Sequence, residues 1–228
     1  MITRVSTGIA ELDNLTEGGF KRSSINLVEG TAGSGKSTLA VHYVLDGVKK
    51  GEKCIYLSVE EDKESFFENM ERFGFSLREY EAIGDFYFHE LTASKLKEFI
   101  EKGTLGIEDI MKGAGVTRIV VDSITAFSLL YESESDQRAA VQRLFSKLRA
   151  WKLTSILIAE AEQDYTSFGL QYLVDGLLVL TYNKVGRQRV RTIEVMKMRG
   201  TKHRSTEIVY RIEDDGIKMY PGETVLEA

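Results

Sequence analysis

Apolar positions recur along this chain with two spacings, one typical of buried strands and one typical of amphipathic helices. Short apolar runs bounded by polar residues predict strands at Ser24–Glu29, Lys53–Val59, Asp85–His89, Arg118–Asp122, Ser155–Ala159 and Gly176–Tyr182. Apolar residues three or four apart predict helices at Lys36–Lys49, Asp62–Phe73, a more polar stretch that ends near Gly115, and Ser135–Lys152.

The alternation of strands and helices predicts an α/β fold with a mainly parallel sheet, because parallel strands need crossover connections. The pattern changes after Tyr182. There Arg187–Met198, Ser205–Ile212 and Gly216–Tyr220 predict consecutive strands with short turns, and so a C-terminal antiparallel extension. A chain of 228 residues has a common size for one α/β domain, and we expect a single domain over 1–228.

Composition narrows the class of protein. The proportions of hydrophobic (43%) and charged (29%) residues are ordinary for a globular chain. The single cysteine, Cys54, allows no intramolecular disulfide, and neither a signal peptide nor an apolar run of roughly 18 residues is present, so we expect a cytoplasmic protein without membrane contact. The net charge of -5 argues against a protein that coats nucleic acid over its whole surface, but not against a local basic groove.

The loop after the first predicted strand matches the phosphate-binding motif G-x-x-x-x-G-K-[ST], in the strand-loop-helix context that the motif requires. Glycines let the backbone N–H groups wrap a phosphate, and the following helix N-terminus adds a favourable field. Lys36 can reach the β- and γ-phosphates, and the Ser37 hydroxyl can coordinate Mg²⁺. The sequence therefore predicts an ATP and Mg²⁺ site formed by Gly30, Thr31, Ala32, Gly33, Ser34, Gly35, Lys36 and Ser37.

Acidic residues follow two other predicted strands. Asp122 ends a buried strand, where it faces the ligand crevice of a parallel sheet and could hold Mg²⁺; the alternative is a helix N-cap. Glu60 and Glu61 could orient the water that attacks the γ-phosphate, with Glu60 slightly favoured over Glu61. The alternative for this pair is two surface acids at the start of a helix.

The late antiparallel part is basic in an otherwise acidic chain. Lys197 and Arg199 are two residues apart and so share one face of a strand, where they could contact a γ-phosphate or form a solvated basic face. A groove for single-stranded DNA and an interface with an acidic partner both remain open for this segment. Its cations are Lys184, Arg187, Arg189, Arg191, Lys197, Arg199, Lys202, Arg204 and Arg211.

Taken together, these motifs resemble the RecA superfamily and, within it, the single-domain relatives of the circadian-clock ATPase KaiC, including archaeal RadA paralogues. The resemblance covers nearly the whole chain. Beyond the phosphate loop, the acidic pair and Asp122, it rests on three stretches, namely Ser6-Thr7-Gly8-Ile9 with Leu12-Asp13, Gly18-Gly19-Phe20, and Lys197-Met198-Arg199-Gly200-Thr201-x-His203. The last stretch is the most specific to KaiC relatives.

The resemblance implies a RecA-like P-loop core and a homo-oligomeric ring, commonly a hexamer, with ATP between subunits. It implies that Lys197 and Arg199 act on the ATP of a neighbour, that Glu160 is a polar sensor, and that Thr38 and His203 join the nucleotide-binding residues. The expected function is Mg²⁺-dependent ATP hydrolysis. The alternative is an ATP-regulated binding module that contacts single-stranded DNA or a protein partner with little turnover.

Two stretches depart from the family pattern. Lys21-Arg22 stand where the family usually has a proline after the early glycine run. Gln171-Tyr172 stand where the autokinase half of KaiC has adjacent Ser and Thr before an acid that resembles Asp175. We therefore do not expect autophosphorylation of that kind.

Overall fold

The computed structural model describes residues 2–102, 107–128, 130–161 and 169–223. Its strands are β1 (Arg4–Val5), β2 (Phe20–Lys21), β3 (Ile25–Gly30), β4 (Lys53–Ser58), β5 (Phe86–Glu90), β6 (Val116–Asp122), β7 (Thr154–Glu160), β8 (Gly176–Val185), β9 (Gln188–Met198), β10 (Ile208–Glu213) and β11 (Gly216–Tyr220). Its helices are α1 (Ala10–Leu15), α2 (Lys36–Lys49), α3 (Lys63–Glu71), α4 (Leu77–Ala82), α5 (Ala93–Lys102), α6 (Ile107–Ala114), α7 (Ile124–Ser128), α8 (Glu134–Ala150) and α9 (Leu170–Leu173).

Within the described ranges, nine strands form one sheet in the order β11-β10-β9-β8-β3-β7-β6-β4-β5, and β1 pairs with β2 separately. The strands from β8 to β5 in this order are parallel to one another. The pairs β8–β9, β9–β10 and β10–β11 are antiparallel. The predicted α/β fold, with a mainly parallel sheet and a C-terminal antiparallel extension, is confirmed.

The central strands are continuous apolar runs because both faces of the sheet are covered by helices. Successive residues of a strand point to opposite faces, so Val28 packs in one core with Leu39 of α2. Its neighbour Leu27 packs in the other core with Leu144 of α8. This arrangement leaves the ends of the strands as the places where polar side chains can gather.

The polar segment before α1 is held in place by the carboxylate of Asp13. Asp13 of α1 accepts hydrogen bonds from the Ser6 hydroxyl (2.7 Å), the Thr7 backbone N–H (2.8 Å) and the Thr7 hydroxyl (2.8 Å). The spacing of Ser6, Thr7 and Asp13 therefore has a structural explanation, since the acid satisfies donors that the turn before α1 leaves unpaired.

Arg118 is the largest charged side chain buried in the core, with 1% of the side chain exposed. Its guanidinium pairs with Asp46 (3.1 Å) and Glu52 (2.6 Å). It also donates to the backbone carbonyls of Ser6 (3.1 Å) and Tyr43 (2.7 Å) and lies over the Tyr43 ring. The guanidinium therefore connects β6 to α2 and to the segment around Ser6.

We expect Arg118→Met to lower the free energy of unfolding by about 3 kcal/mol, because Asp46 and Glu52 would be left partly buried without their cation. Urea unfolding followed by circular dichroism measures this loss. Arg78→Met is the matched control and should cost less than about 1 kcal/mol, since the carboxylates Glu64 and Glu71 with which Arg78 pairs are exposed. Equal losses in the two variants would contradict the assigned role of Arg118.

The loss of unfolding free energy in Arg118→Met should also depend on pH. Burial raises the pKa of Glu52, but hydrogen bonds from Arg118 and Thr117 outweigh burial, so this pKa lies below its usual value. A carboxyl whose pKa is lowered by folding contributes stability above its unfolded pKa, roughly 4.3, and loses it as the pH falls. The stabilities of wild type and Arg118→Met should therefore converge in acid.

Candidate functional site

The carboxyl ends of four neighbouring strands bring the predicted acidic residues to one edge of the sheet. In the register of the sheet, Gly30 at the end of β3 lies opposite Glu160 of β7. Ser58 at the end of β4 lies opposite Asp122 of β6, and the chain continues from Ser58 to Glu60 and Glu61. These residues therefore lie with the glycine loop at the carboxyl-end edge of the sheet, where the rule for parallel sheets predicts that ligands bind.

The glycine loop has the backbone of a phosphate cradle. A side chain at Gly30 would clash with the Leu180 carbonyl of β8, and Gly35, with φ 87°, has the left-handed conformation that turns the chain into α2. The Lys36 ammonium donates to the loop carbonyls of Gly30 (2.9 Å) and Thr31 (3.1 Å). The ammonium therefore lies folded over the loop at the N-terminus of α2, where an anion is favoured.

Two hydroxyls of the loop support a fit to phosphate. Ser34 Oγ and Thr31 Oγ1 are buried, and neither has a hydrogen-bond partner among the described residues. An unsatisfied buried polar group costs free energy, which a bound acceptor would recover. The oxygens of a phosphate chain are acceptors of this kind, so the residues present fit a nucleotide.

The residues that would hold Mg²⁺ also lie together. The Ser37 hydroxyl donates to Asp122 Oδ2 at 2.8 Å, and the Tyr56 hydroxyl donates to the same oxygen at 2.5 Å. Burial raises the pKa of Asp122, while these two donors lower it and the charge of Glu60 raises it further. A cation beside Asp122 would favour its ionised form.

Among the described residues, no group of three or more His, Cys, Asp and Glu side chains could hold a metal by itself. The protein would therefore supply one hydroxyl and one carboxylate. This is the usual way in which Mg²⁺ binds, because the ion keeps waters and takes further oxygens from the phosphates.

The two predicted glutamates point differently. Glu60 is exposed and accepts a hydrogen bond from the Ser123 hydroxyl, next to Asp122. Glu61 accepts from the Asn69 side chain at 2.6 Å, and its pKa is raised by burial although Asn69 lowers it. Of the two carboxylates, Glu60 is therefore the one that bonds to the neighbour of Asp122, and so lies in the chain of contacts that leads to Ser37. The peptide bond between Asp122 and Ser123 is cis.

Three residues at the loop were not predicted as site residues. Arg191 of β9 donates through Nε to the Gly33 carbonyl at 3.0 Å, and its guanidinium lies 4.0 Å from the centre of the Tyr182 ring. The Tyr210 hydroxyl of β10 donates to the Ser34 carbonyl. From the sequence, Arg191 is only one cation of the basic segment, because nothing local indicates that β9 and β10 lie beside the loop.

Lys197 and Arg199 lie away from the phosphate loop of their own chain. Lys197 lies opposite Leu177 near the start of β8, and β8 runs parallel to β3, which ends in the loop. Lys197 donates to the Gln171 carbonyl at 3.0 Å, and Arg199 donates to the Tyr172 carbonyl at 3.2 Å. Both cations are therefore at the amino-end edge of the parallel strands, opposite the edge at which the phosphate loop lies.

The fold divides the basic segment between the two edges. Lys184, Arg187 and Arg189 are exposed around the tip of the β8–β9 hairpin, on the same side as the phosphate loop. His203 lies in the connection between β9 and β10, and its buried Nδ1 has no hydrogen-bond partner in the described part of the chain. The predicted cations thus form two separate surfaces.

No helix of the described ranges is both long and apolar enough to cross a bilayer.

Comparison with known proteins identifies the family. Residues 5–224 match the family model described as "ATPase: KaiC". A UPF0273 protein of Aeropyrum pernix is 31% identical, over 99% of this chain and 96% of its own length. The circadian clock oscillator protein KaiC of a Nostoc species is 27% identical over 96% of this chain, which spans only 44% of that protein.

The fold agrees with a solved structure. A KaiC-like protein of Pyrococcus horikoshii superimposes with a TM-score of 0.87 at 27% identity, over 97% of this chain and 100% of that chain. The RecA-like core and the resemblance to KaiC relatives are confirmed, and membership of this family supports nucleotide binding. This chain belongs to the KaiC family of ATPases.

Proposed function

We propose that this chain binds and hydrolyses ATP with Mg²⁺ as a homo-oligomeric, hexameric ring. The observation that carries the proposal is the arrangement of side chains around the phosphate loop. A phosphate loop with buried, unpartnered hydroxyls lies beside the bonded pair Ser37–Asp122 and the exposed Glu60. These are the groups that phosphoryl transfer to water requires.

Each group has a separate task. Lys36 and the loop amides hold the β- and γ-phosphates, Thr38 continues this binding surface into α2, and Ser37 with Asp122 holds Mg²⁺. When bound, Mg²⁺ neutralises charge on the phosphate oxygens. Glu60 orients the attacking water, assisted by Glu61. Glu160, which lies opposite Gly30 in the sheet, senses the γ-phosphate.

Lys197, Arg199 and His203 serve the site of the next subunit. Two observations support this assignment. Both cations lie at the edge opposite their own phosphate loop. The side chains of Tyr172 and Met196, next to the cations in the chain or in their hydrogen bonds, are 69% and 52% exposed, so this edge has apolar surface that another copy could cover.

We expect Glu60→Gln to lower the turnover number by roughly 10²-fold while the affinity for ATP barely changes, because orienting water needs the charge and holding the phosphates does not. Glu61→Gln should have a smaller effect, since this carboxylate is engaged by Asn69. Steady-state ATPase assays and nucleotide titrations measure the two quantities. A larger loss for Glu61→Gln than for Glu60→Gln would reverse the assignment.

The second candidate is an ATP-regulated binding module with little turnover. The exposed cations Lys184, Arg187 and Arg189 favour it, since they offer a surface to single-stranded DNA or to an acidic protein. The same assay decides between the candidates. Wild-type turnover at the background rate, together with tight ATP binding, would reject the ATPase and leave the binding module.

A further inference from the structure

Asp175 lies at the amino-end edge of the parallel strands, between the start of β3 and Arg199. It lies just before β8, and its backbone N–H donates to the Ile25 carbonyl at 2.8 Å while its carbonyl accepts from the Arg199 N–H at 2.8 Å. Its carboxylate accepts from the Ile25 N–H at 3.0 Å and pairs with the Arg199 guanidinium at 3.5 Å. Asp175 thus connects the first residue of β3 to Arg199.

The carboxylate also acts on the charge of this surface. Lys197 and Arg199 lie together on one face, and burial followed by the charge of Arg199 lowers the pKa of Lys197, while Asp175 raises it. The negative charge of Asp175 therefore offsets the repulsion between the two cations. It also restricts Arg199, whose side chain is 53% exposed and would otherwise sample many rotamers.

We propose that Asp175 is the positioning residue that holds Arg199, and with it Lys197, in the orientation needed at the ATP of the next subunit. The inference rests on the proposed function of these two cations. The new element is that the Asp175 carboxylate sets the orientation of the two cations. This carboxylate accepts a hydrogen bond from the first residue of β3, the strand that leads into the phosphate loop of the same subunit. Nothing in the pattern of sequence around Asp175 predicts this pairing.

Asp175→Asn separates positioning from folding. The backbone bonds of residue 175 remain, and a carboxamide oxygen can still accept from the Ile25 N–H, but the charge that holds Arg199 is lost. We expect turnover to fall by about 10-fold to 100-fold, the usual result of displacing a group at the reaction centre by about 1 Å. Arg149→Gln is the matched control, because Arg149 approaches the same carboxylate at 3.8 Å from α8; its turnover should stay within about twofold of wild type.

Subunit mixing tests whether the defect acts on the neighbour. Asp175→Asn subunits keep a sound phosphate loop, so they should regain activity when mixed with Lys36→Ala subunits, which offer intact cations. They should not gain when mixed with the Lys197→Ala/Arg199→Ala variant, since neither partner then presents the cations correctly. The reverse pattern, a gain only with the cation-free variant, would show that Asp175 supports its own loop and would overturn the inference.

Nucleotide binding gives a second readout that does not depend on turnover. The cations are proposed to contact the γ-phosphate, so Asp175→Asn and Arg199→Ala should both reduce the preference of the assembled protein for ATP over ADP, by about 5-fold or more. The double variant should lose no more than Arg199→Ala alone, because Asp175 acts through Arg199. Additive losses would contradict this route. Should Asp175→Asn fail to fold, Asp175→Glu tests the same route in the same double variant, because it keeps the charge but displaces it by one methylene group.

The two proposals fail in different ways. If Arg199→Ala changes neither turnover nor the preference for ATP, the proposed role of the cations is wrong and the inference about Asp175 is wrong with it. If Arg199→Ala has the expected effects and Asp175→Asn has none, only the inference about Asp175 is rejected.

Discussion

Subunits that lack both Lys197 and Arg199 should hydrolyse ATP about 10³-fold more slowly than the wild type, yet recover activity when mixed with subunits that lack Lys36. A cation that reaches the γ-phosphate from a neighbour stabilises charge that develops in the transition state, and such groups contribute about 10³-fold to 10⁵-fold. In this chain both cations bond to backbone carbonyls near α9, away from the loop of their own subunit. We therefore expect them to complete a site where two subunits meet.

Mixing two inactive variants tests whether the phosphate loop and the cations of one site come from different subunits. A Lys36→Ala subunit binds no ATP productively but offers both cations, whereas a Lys197→Ala/Arg199→Ala subunit binds ATP and offers neither. In a ring assembled at random from equal amounts, about one interface in four combines an intact loop with intact cations, so about a quarter of wild-type activity should return. The matched control mixes Lys36→Ala with the Lys36→Ala/Lys197→Ala/Arg199→Ala variant, which has no intact loop and should return nothing.

The test requires that subunits exchange, which fluorescence transfer between labelled subunits measures. Exchange without any recovery would mean that the cations act within their own subunit, or not at all. Activity per subunit should also fall on dilution, as the oligomer dissociates and sites lose the cations of the neighbour. Activity that does not change with concentration in a demonstrably dissociating sample would contradict the shared site.

Lys36→Ala is expected to weaken ATP binding by about 100-fold and to abolish turnover, with the fold unchanged. The ammonium donates only to loop carbonyls in the described contacts, so its removal should disturb little of the core. Toward a bound nucleotide it would make charge-assisted hydrogen bonds, and the loss of about 3 kcal/mol corresponds to roughly a 100-fold change in affinity.

Calorimetric titration with ATP and thermal unfolding of the same samples measure these two expectations. Lys49→Ala is the matched control, because Lys49 is an exposed cation at the other end of the same helix and should leave affinity and turnover unchanged. Wild-type affinity in Lys36→Ala would reject the phosphate-binding role of the loop, and with it the site as described.

The elements that local pattern predicted are those whose stability comes from a continuous apolar face. Helix α2 begins and ends at the predicted residues, Lys36 and Lys49, and β11 also has its predicted bounds. Six short elements were not predicted, because a few residues carry too little periodicity to be recognised, namely β1, β2, α1, α4, α7 and α9. The strand predicted at Ser205–Ile212 begins only at Ile208, where pairing with β9 starts.

The site residues likewise divide into those that the sequence predicted and those whose contacts only the fold decided. The sequence alone determined the phosphate loop, because the motif requires a fixed spacing of its glycines and Lys36 within one short segment of the chain. It also predicted Asp122 and the glutamate pair, since residues at the carboxyl ends of parallel strands meet at one edge of a sheet whatever the remaining contacts are.

Only the tertiary structure decided which long-range partners these residues have. The contact of Arg191 with the loop, the turning of Glu60 toward Ser123, and the pairing of Arg199 with Asp175 all depend on the order and register of strands far apart in the chain. A local pattern records whether a residue is apolar or charged and on which face it lies. Strand order is set by the packing of both cores at once, so the opposite placement of Lys36 and Arg199 could be learned only from the folded sheet.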